Sequence, residues 1–465
     1  VTLRTRWSDE IQPGLPGLLA RRLRCLGQPP SVVRKCVAFH LRDSRTPRPP
    51  GEGLRLLQLM SPGEAAREDL EELSTDERFA LVTRAVERMS DGRAALLCFD
   101  DAHANPEAFQ FPLYLLERGD LPALIVLTVQ EEALATSAAS AIALEELCAH
   151  PSVKVCTVGK LALDDQVELV RGLLRVEPEL ADRIARRTEG NPLFASQLLE
   201  DWVSRDLLEL SVDGFRLRDA LDAGLPESLS QVWSERVHRL LAETSPRYEL
   251  ALELAATLGS WVDRREWALV CEKAGTQAWP ALLDALLARR LATREGDGWH
   301  FIHGMLREAI LQKAATAGRL KTHHLTVGRA LRTLEGTAMR VGRHLLQGDA
   351  GVEAIDPLEA GAEEATRSGD YEEALRLLRA RSALMRQVRF PDHDRRWGRG
   401  WVAFAEILAR LDRWEEAAEY AEQACSEAKE HGWGRVEVEA LMLLVENRAV
   451  TDLPRARELL ERAYE

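Results

Sequence analysis

Residues 94–99, Ala-Ala-Leu-Leu-Cys-Phe, form an apolar run that stops abruptly at Asp100-Asp101. A short run without polar alternation reads as a strand buried on both faces, and such strands belong to parallel sheets covered by helices. Ligand sites in those sheets lie at the carboxyl ends of the strands. The same grammar recurs at 1–5, 123–129 and 153–158, with helix-period stretches such as 79–89 and 108–116 between the runs. Residues 1–158 are therefore expected to form an α/β domain with 94–99 as a central parallel strand and 42–53, rich in Pro and Arg, as a surface loop.

The pattern then changes. From 159 to 224 it is helical, at 166–174, 179–187 and 193–203, and reads as a helical lid. A third unit, 225–313, begins around Leu225-Pro226-Glu227-Ser228-Leu229 and places helices at 228–241, 247–257, 263–273 and 278–289. A β-like pair, 291–294 and 299–302, flanks the turn Glu295-Gly296-Asp297-Gly298. Helices followed by a two-stranded wing give the winged-helix order. Residues 314–465 carry only helical periodicity, with related segments Tyr371-Glu372-Glu373-Ala374, Trp414-Glu415-Glu416-Ala417 and Pro454-Arg455-Ala456. Ala374, Ala417 and Ala456 are spaced by 43 and 39 residues, and Ala424 and Ala463 each follow seven residues on, whereas the matching position 381 is Arg. Small residues at fixed places let paired helices approach, and the pattern reads as tetratricopeptide-like repeats longer than the usual length of about 34 residues.

Composition narrows the function classes. A net charge of −14 and pI near 5.5 argue against general nucleic-acid or anionic-membrane binding. Seven cysteines without C-x-x-C spacing read as thiols in a reducing compartment, so a cytoplasmic location is expected. No apolar run approaches the roughly 18 residues of a membrane span. The first run starts at Val1, and the last helical pattern runs to Glu465, so both ends read as cut from something longer.

Adjacent carboxylates at a rigid strand end can hold Mg²⁺ through water and orient a water that attacks a phosphoryl group. Acids are also common wherever a strand runs into a loop. The phosphate cradle that such chemistry needs, G-x-x-x-x-G-K-[ST], is absent, and the one Gly-Lys pair, Gly159-Lys160, is followed by Leu161. A second motif, Arg187-Thr188-Glu189-Gly190-Asn191-Pro192-Leu193-Phe194, is accounted for by a helix stop at Gly190 and a helix start at Pro192.

Taken in order, "LLCFDDAH", "ALIVLTVQEE", "VKVCTVGKLALDDQ" and "RTEGNPLFASQLLE" resemble the STAND class of signalling NTPases, in particular the ATPase modules of large bacterial transcription regulators and of kinase-associated proteins. The resemblance covers nearly the whole chain and implies an α/β P-loop-type parallel sheet, incomplete because the phosphate loop is missing. An all-α helical lid, a winged helix and an α-solenoid would follow. It further implies ATP or ADP and Mg²⁺ as cofactors, Asp100 as the magnesium-side acid and Asp101 as the catalytic, water-orienting acid. Gly190-Asn191-Pro192 would match the class motif whose proline packs on adenine. His303 would match the histidine that senses the nucleotide phosphates, although a hydrogen-bonded histidine at a helix start explains it equally well. Gly304 stands where many relatives have Asp.

Two departures bear on hydrolysis. In Thr128-Val129-Gln130-Glu131-Glu132 the place of a sensor arginine is held by Gln130, whose amide cannot stabilise developing phosphate charge as a guanidinium does. The second departure is the missing loop itself. Several decoys fall away: His40-Leu41-Arg42-Asp43 has the wrong spacing for a kinase loop, Asp213-Gly214-Phe215 the wrong order, and His323-His324 has no acid or Cys at ligand spacing. The Trp residues at 233, 261, 267 and 279 read as core. The expected function is an ATP/ADP-dependent signalling switch whose repeats sense an effector or protein partner, with nucleotide-dependent self-assembly. The alternative is a degenerate protein-interaction scaffold, and a weaker one is DNA binding by the winged helix.

Overall fold

The computed structural model describes all residues except 7–13, 29, 43–48, 62–72, 120, 136, 219–227, 335–336, 450–452 and 465. Half of the expected loop at 42–53, residues 43–48, and the expected unit start at 225–227 lie outside the described residues. The chain divides into two compact units, one made of 1–150 and 321–465 and the other of 151–320.

The first unit is built on a three-stranded parallel sheet. β1 (Thr2–Arg6) and β3 (Ala123–Leu127) flank the central β2 (Ala95–Asp100), with Thr2 opposite Leu96 and Ala95 opposite Ala123. The helices here are α1 (Gly14–Arg22), α2 (Pro30–Arg42), α3 (Glu52–Met60), α4 (Thr75–Ser90), α5 (Glu107–Arg118) and α6 (Ala138–Ala149). α4 starts at a capping box in which Ser74 and Glu77 bond each other's backbone amide. Its Phe79 packs edge-on to Phe111 of α5 at 5.3 Å, over the buried Leu97 and Phe99 of β2. β2 is thus covered, fully on the face of Ala95, Leu97 and Phe99 and only partly on that of Leu96 and Cys98, where the apolar run predicted burial on both.

β3 is not covered. Leu124 and Val126 are 65% and 45% exposed, and no described strand pairs with the outer edge of β3. The expected strand at 153–158 is corrected: 153–162 holds no strand, and Val155 and Val158 are exposed. β-branched residues alone do not make a strand; a neighbour with free backbone donors and acceptors is needed.

The same unit contains α15 (Leu320–Leu331), α16 (Ala338–Gln347), α17 (Ile355–Ser368), α18 (Tyr371–Gln387), α19 (Arg396–Arg410), α20 (Trp414–His431), α21 (Gly434–Ala449) and α22 (Leu453–Tyr464). From α16 on, consecutive helices pack against each other as helical repeats. Ala374, Ala417, Ala424 and Ala456 are all buried. Arg381, the departure from the small-residue pattern, is fully buried too. Its Nη2 donates to Glu359 Oε2 and to the Arg396 carbonyl, both at 2.8 Å, and Gly400 makes room for it: a Cβ there would lie 2.7 Å from Nη1.

The second unit opens with α7 (Leu163–Leu173), α8 (Pro178–Thr188) and α9 (Pro192–Ser204), then a small hairpin, β4 (Leu208–Leu210) and β5 (Phe215–Leu217), that the sequence reading missed. The Asp213-Gly214-Phe215 decoy belongs to the turn and second strand of this hairpin. Next come α10 (Leu229–Glu243), α11 (Tyr248–Leu258), β6 (Trp261–Asp263), α12 (Arg264–Lys273), α13 (Pro280–Ala288), β7 (Ala292–Glu295), β8 (Gly298–Phe301) and α14 (Gly304–Thr316). The expected pair of strands is present but forms a three-stranded antiparallel sheet of order β6-β8-β7. Of the four Trp residues expected in the core, Trp233, Trp261 and Trp267 are buried here and Trp279 is only half-buried; Trp299 is buried as well, edge-on to Trp267 at 5.6 Å.

Ala417→Arg is expected to destabilise the first unit by about 3 kcal/mol or more, because it forces volume and a charge into a closed helix–helix contact. Urea unfolding followed by circular dichroism measures this; an unchanged midpoint would mean that Ala417 does not hold the repeats together.

Candidate functional site

Asp100 ends β2 and Asp101 begins the loop beyond it in a left-handed conformation, φ 54°. Both therefore lie at the carboxyl end of the central parallel strand. The neighbouring strand end supplies Thr128. Its hydroxyl donates to Asp100 Oδ1 at 2.6 Å and accepts from the Asp101 amide at 3.0 Å, while its own amide donates to the Phe99 carbonyl at 2.9 Å. The other neighbour supplies Arg4, whose Nη2 is 3.1 Å from Asp100 Oδ2. Thr128 and Arg4 were not assigned roles from the sequence. For Thr128 the signal was register, since it follows β3 by the step that puts it level with Asp100; Arg4 stands mid-strand, opposite Cys98, and its long side chain reaches along the sheet to Asp100.

His103 lies in the turn after Asp101 and accepts from the Gln130 amide through Nδ1 at 3.2 Å. That bond leaves the proton of the neutral ring on Nε2. The Gln130 side chain is exposed, at the start of a single helical turn, Glu131–Leu134.

The two carboxylates fit part of a magnesium site. Among the described residues no cluster of three or more His, Cys, Asp or Glu could hold a metal. Asp100 would offer an oxygen only by exchanging the solvent-exposed Arg4 for the ion, and the remaining ligands would have to be water and phosphate oxygens.

Immediately beyond this loop, the first unit ties the strand end to the repeats. Asn105 Nδ2 donates to Asp370 Oδ1 at 3.0 Å, and Asp370 also caps α18 by accepting from the Glu373 amide at 3.1 Å. Arg78 of α4, 4% exposed, donates to the Ser368 carbonyl at 2.8 Å and pairs with Glu107 of α5 at 2.5 Å. Burial raises the Glu107 pKa, Arg78 opposes that shift, and the nearby Asp370 adds to it.

The residues expected to contact nucleotide base and phosphates lie in the second unit. Gly190 has φ 85°, and its carbonyl accepts from the Leu161 amide at 3.1 Å; a Cβ there would sit 2.6 Å from Lys160 Cβ. Asn191 caps α9 by accepting from the Phe194 amide at 3.1 Å, and Pro192 follows as the first helical residue, exposed. Capping and close packing thus explain all three residue types.

His303 precedes α14 and packs on Trp233, ring centroids 5.3 Å apart. Burial holds its pKa below the ordinary value, the Arg236 guanidinium pushes the same way, and Glu200 pulls against them. Arg236 lies over Trp233 at 5.0 Å and donates to Gln197 Oε1 at 2.8 Å. Beneath them the fully buried Asp201 pairs with Arg205, Arg236 and Arg239, a cluster that no local sequence pattern pointed to. The two sets of expected site residues thus fall in separate units: Asp100, Asp101 and Gln130 in one, Gly190, Asn191, Pro192 and His303 in the other.

No family model matches the chain, and no curated protein matches it. A solved Signal Transduction ATPase with Numerous Domains (STAND) protein with a tetratricopeptide repeat sensor, from Pyrococcus horikoshii, is similar over 99% of this chain and 80% of that one, at 12% identity and a TM-score of 0.34. That likeness is too slight to establish a fold or a function.

Glu107 generates a pH dependence. Its raised pKa means that the folded state holds the proton more firmly than the unfolded one, so stability is lost as pH rises from about 4.5 through the folded pKa. Glu107→Gln is expected to flatten the fall in urea midpoint as pH rises above about 4.5; an unaltered slope would show that Glu107 does not titrate there.

Proposed function

We propose that this chain is the switch-and-sensor portion of an ATP/ADP-dependent signalling regulator of the STAND class. The observation that carries the reading is the placing of Asp100 and Asp101. They lie at the carboxyl end of a parallel strand, beside an open β3 edge, on a loop that Asn105 ties to the repeats. An exposed apolar edge is a place for another strand. A strand and phosphate loop that the 465 residues do not contain would fill it and face the two acids. On this reading Asp100 holds Mg²⁺ through water, Asp101 orients the attacking water, Pro192 packs on adenine and His303 senses the phosphates. β6, β7 and β8 with α10–α14 would be the winged helix, and α17–α22 tetratricopeptide-like repeats that take a protein partner and permit assembly. Among the described residues no helix is long and apolar enough to cross a membrane.

A scaffold that binds partners without hydrolysing nucleotide is the second reading. Gln130 in the sensor position and the Arg4–Asp100 pair favour it. DNA binding is disfavoured by the net charge of −14.

Calorimetry with Mg-ATP separates these readings. Without a backbone cradle and lysine for the phosphates, the 465-residue chain is expected to bind with a Kd of about 1 mM or weaker. A form extended by the missing strand and loop is expected to bind, with Pro192→Ala and His303→Ala shifting the balance between ATP and ADP. Micromolar binding by the chain alone would mean the phosphate site is elsewhere. An extended form that does not bind would leave the scaffold.

A further inference from the structure

The corner between α1 and α2 holds two thiols that nothing above employs. Cys25 sits in the turn after α1 and is fully buried, and Cys36 is half-buried on α2, near enough that the two thiols act on each other. The turn fixes Cys25 in place: its amide donates to the Ala20 carbonyl at 2.9 Å, its carbonyl accepts from the Gln28 amide at 3.1 Å, and Arg24 and Gly27 on either side hold φ of 58° and 64°.

Cys36 opens onto a cavity of about 580 Å³ whose lining also includes Arg22, Arg24, Lys35, Phe39 and His40. Among the described residues the lining contains no acid. Burial and the nearby Arg88 hold His40 toward its neutral form, so the fixed charge at the mouth comes from Arg22, Arg24 and Lys35. A cavity of this volume suits a small molecule, and its charge suits an anion. Phe39, 72% exposed, adds an apolar face.

We propose that Cys25 and Cys36 form a reversible dithiol–disulfide pair, oxidised through Cys36 by an anionic low-molecular-weight disulfide seated in this cavity. Cys36 is the thiol a reagent reaches. It gives its proton to solvent and attacks one sulfur of the bound disulfide; that S–S bond breaks and one thiolate leaves. Burial pushes the Cys25 thiol up to about 12, so it stays protonated and acts second. Losing its proton, it attacks the Cys36 sulfur of the mixed disulfide and expels the other thiolate. Two protein thiols are oxidised by two electrons, and the small disulfide is reduced to two thiols.

Oxidised glutathione, an anionic disulfide, is the probe, applied to the reduced full chain and read by peptide mass spectrometry without reduction. The exposed Cys148 and Cys156 are internal references. The Cys25–Cys36 cross-linked peptide is expected to accumulate roughly tenfold faster than glutathione at either reference cysteine. Cys25→Ser is expected to stop at one glutathione on Cys36. Cystamine, a cationic disulfide, is expected to lose roughly tenfold at Cys36 relative to Cys148 in low salt. Reaction at Cys148 and Cys156 alone, or glutathione retained on Cys36 of the unaltered chain without the cross-link, would overturn the pair. Equal preference for the two probes would overturn the anionic seat.

Discussion

The sheet and the repeats are held together at Arg78. It is buried between them, with one side of its guanidinium on Glu107 and the other on the carbonyl of Ser368. A buried guanidinium is tolerable only when paired and hydrogen-bonded, so removing either partner leaves an uncompensated charge. The approach also needs the turn between α17 and α18 to come very close. Gly369 allows it, with φ 78°; a Cβ there would collide with the guanidinium, 1.9 Å from Nη1. The next residue, Asp370, caps α18 and accepts from Asn105. Asn105 lies four residues beyond Asp101, so a displacement of the carboxylate loop and a displacement of the repeat turn act on the same hydrogen bonds. This shared turn is the physical basis for reading the chain as a switch rather than as two independent modules.

The carboxylate loop itself rests on register. Parallel pairing brings Thr128 level with Asp100, where its hydroxyl locks one oxygen of that carboxylate, and sets Arg4 opposite Cys98, from which its side chain reaches the other oxygen. The two functional readings differ in what happens to the other oxygen. Held by Arg4 it is a structural ion pair; released, it becomes a ligand. Arg4 is largely exposed, so its hold on Asp100 is weak and screened by salt. β3 is unpaired on its outer side among the described residues, and Leu124 and Val126 leave one of its faces exposed, so this side of the sheet has room for a further strand.

Much of the scaffold was legible in the sequence. The uninterrupted apolar run gave β2 and its central place, the turn at 295–298 gave β7 and β8, and the recurring alanines gave the repeat contacts. What escaped notice shares a physical cause. β6 and the hairpin strands β4 and β5 have three residues each, too few for a period to show. The 153–158 run has strand composition but no partner, and propensity is a statement about packing as much as about residue type. Arg381 broke the small-residue rule because Gly400, nineteen positions on, vacates the space it fills. The Arg78 cluster joins residues separated by 290 and 265 positions, a distance over which one sequence carries no local signal. Gly190-Asn191-Pro192 carries two readings at once, because the residue types that stop one helix and start the next are also those of the proposed nucleotide motif.

The most direct test follows amide hydrogen exchange at 365–374, the turn between α17 and α18, in a form of the protein extended by the strand and phosphate loop that the proposed function calls for. If nucleotide at Asp100 and Asp101 acts on the repeats through Asn105 and Arg78, protection of this turn differs between Mg-ATP, Mg-ADP and no nucleotide, and Asn105→Ala abolishes the difference. Identical exchange in all three states, with nucleotide bound, would contradict the coupling on which this account rests.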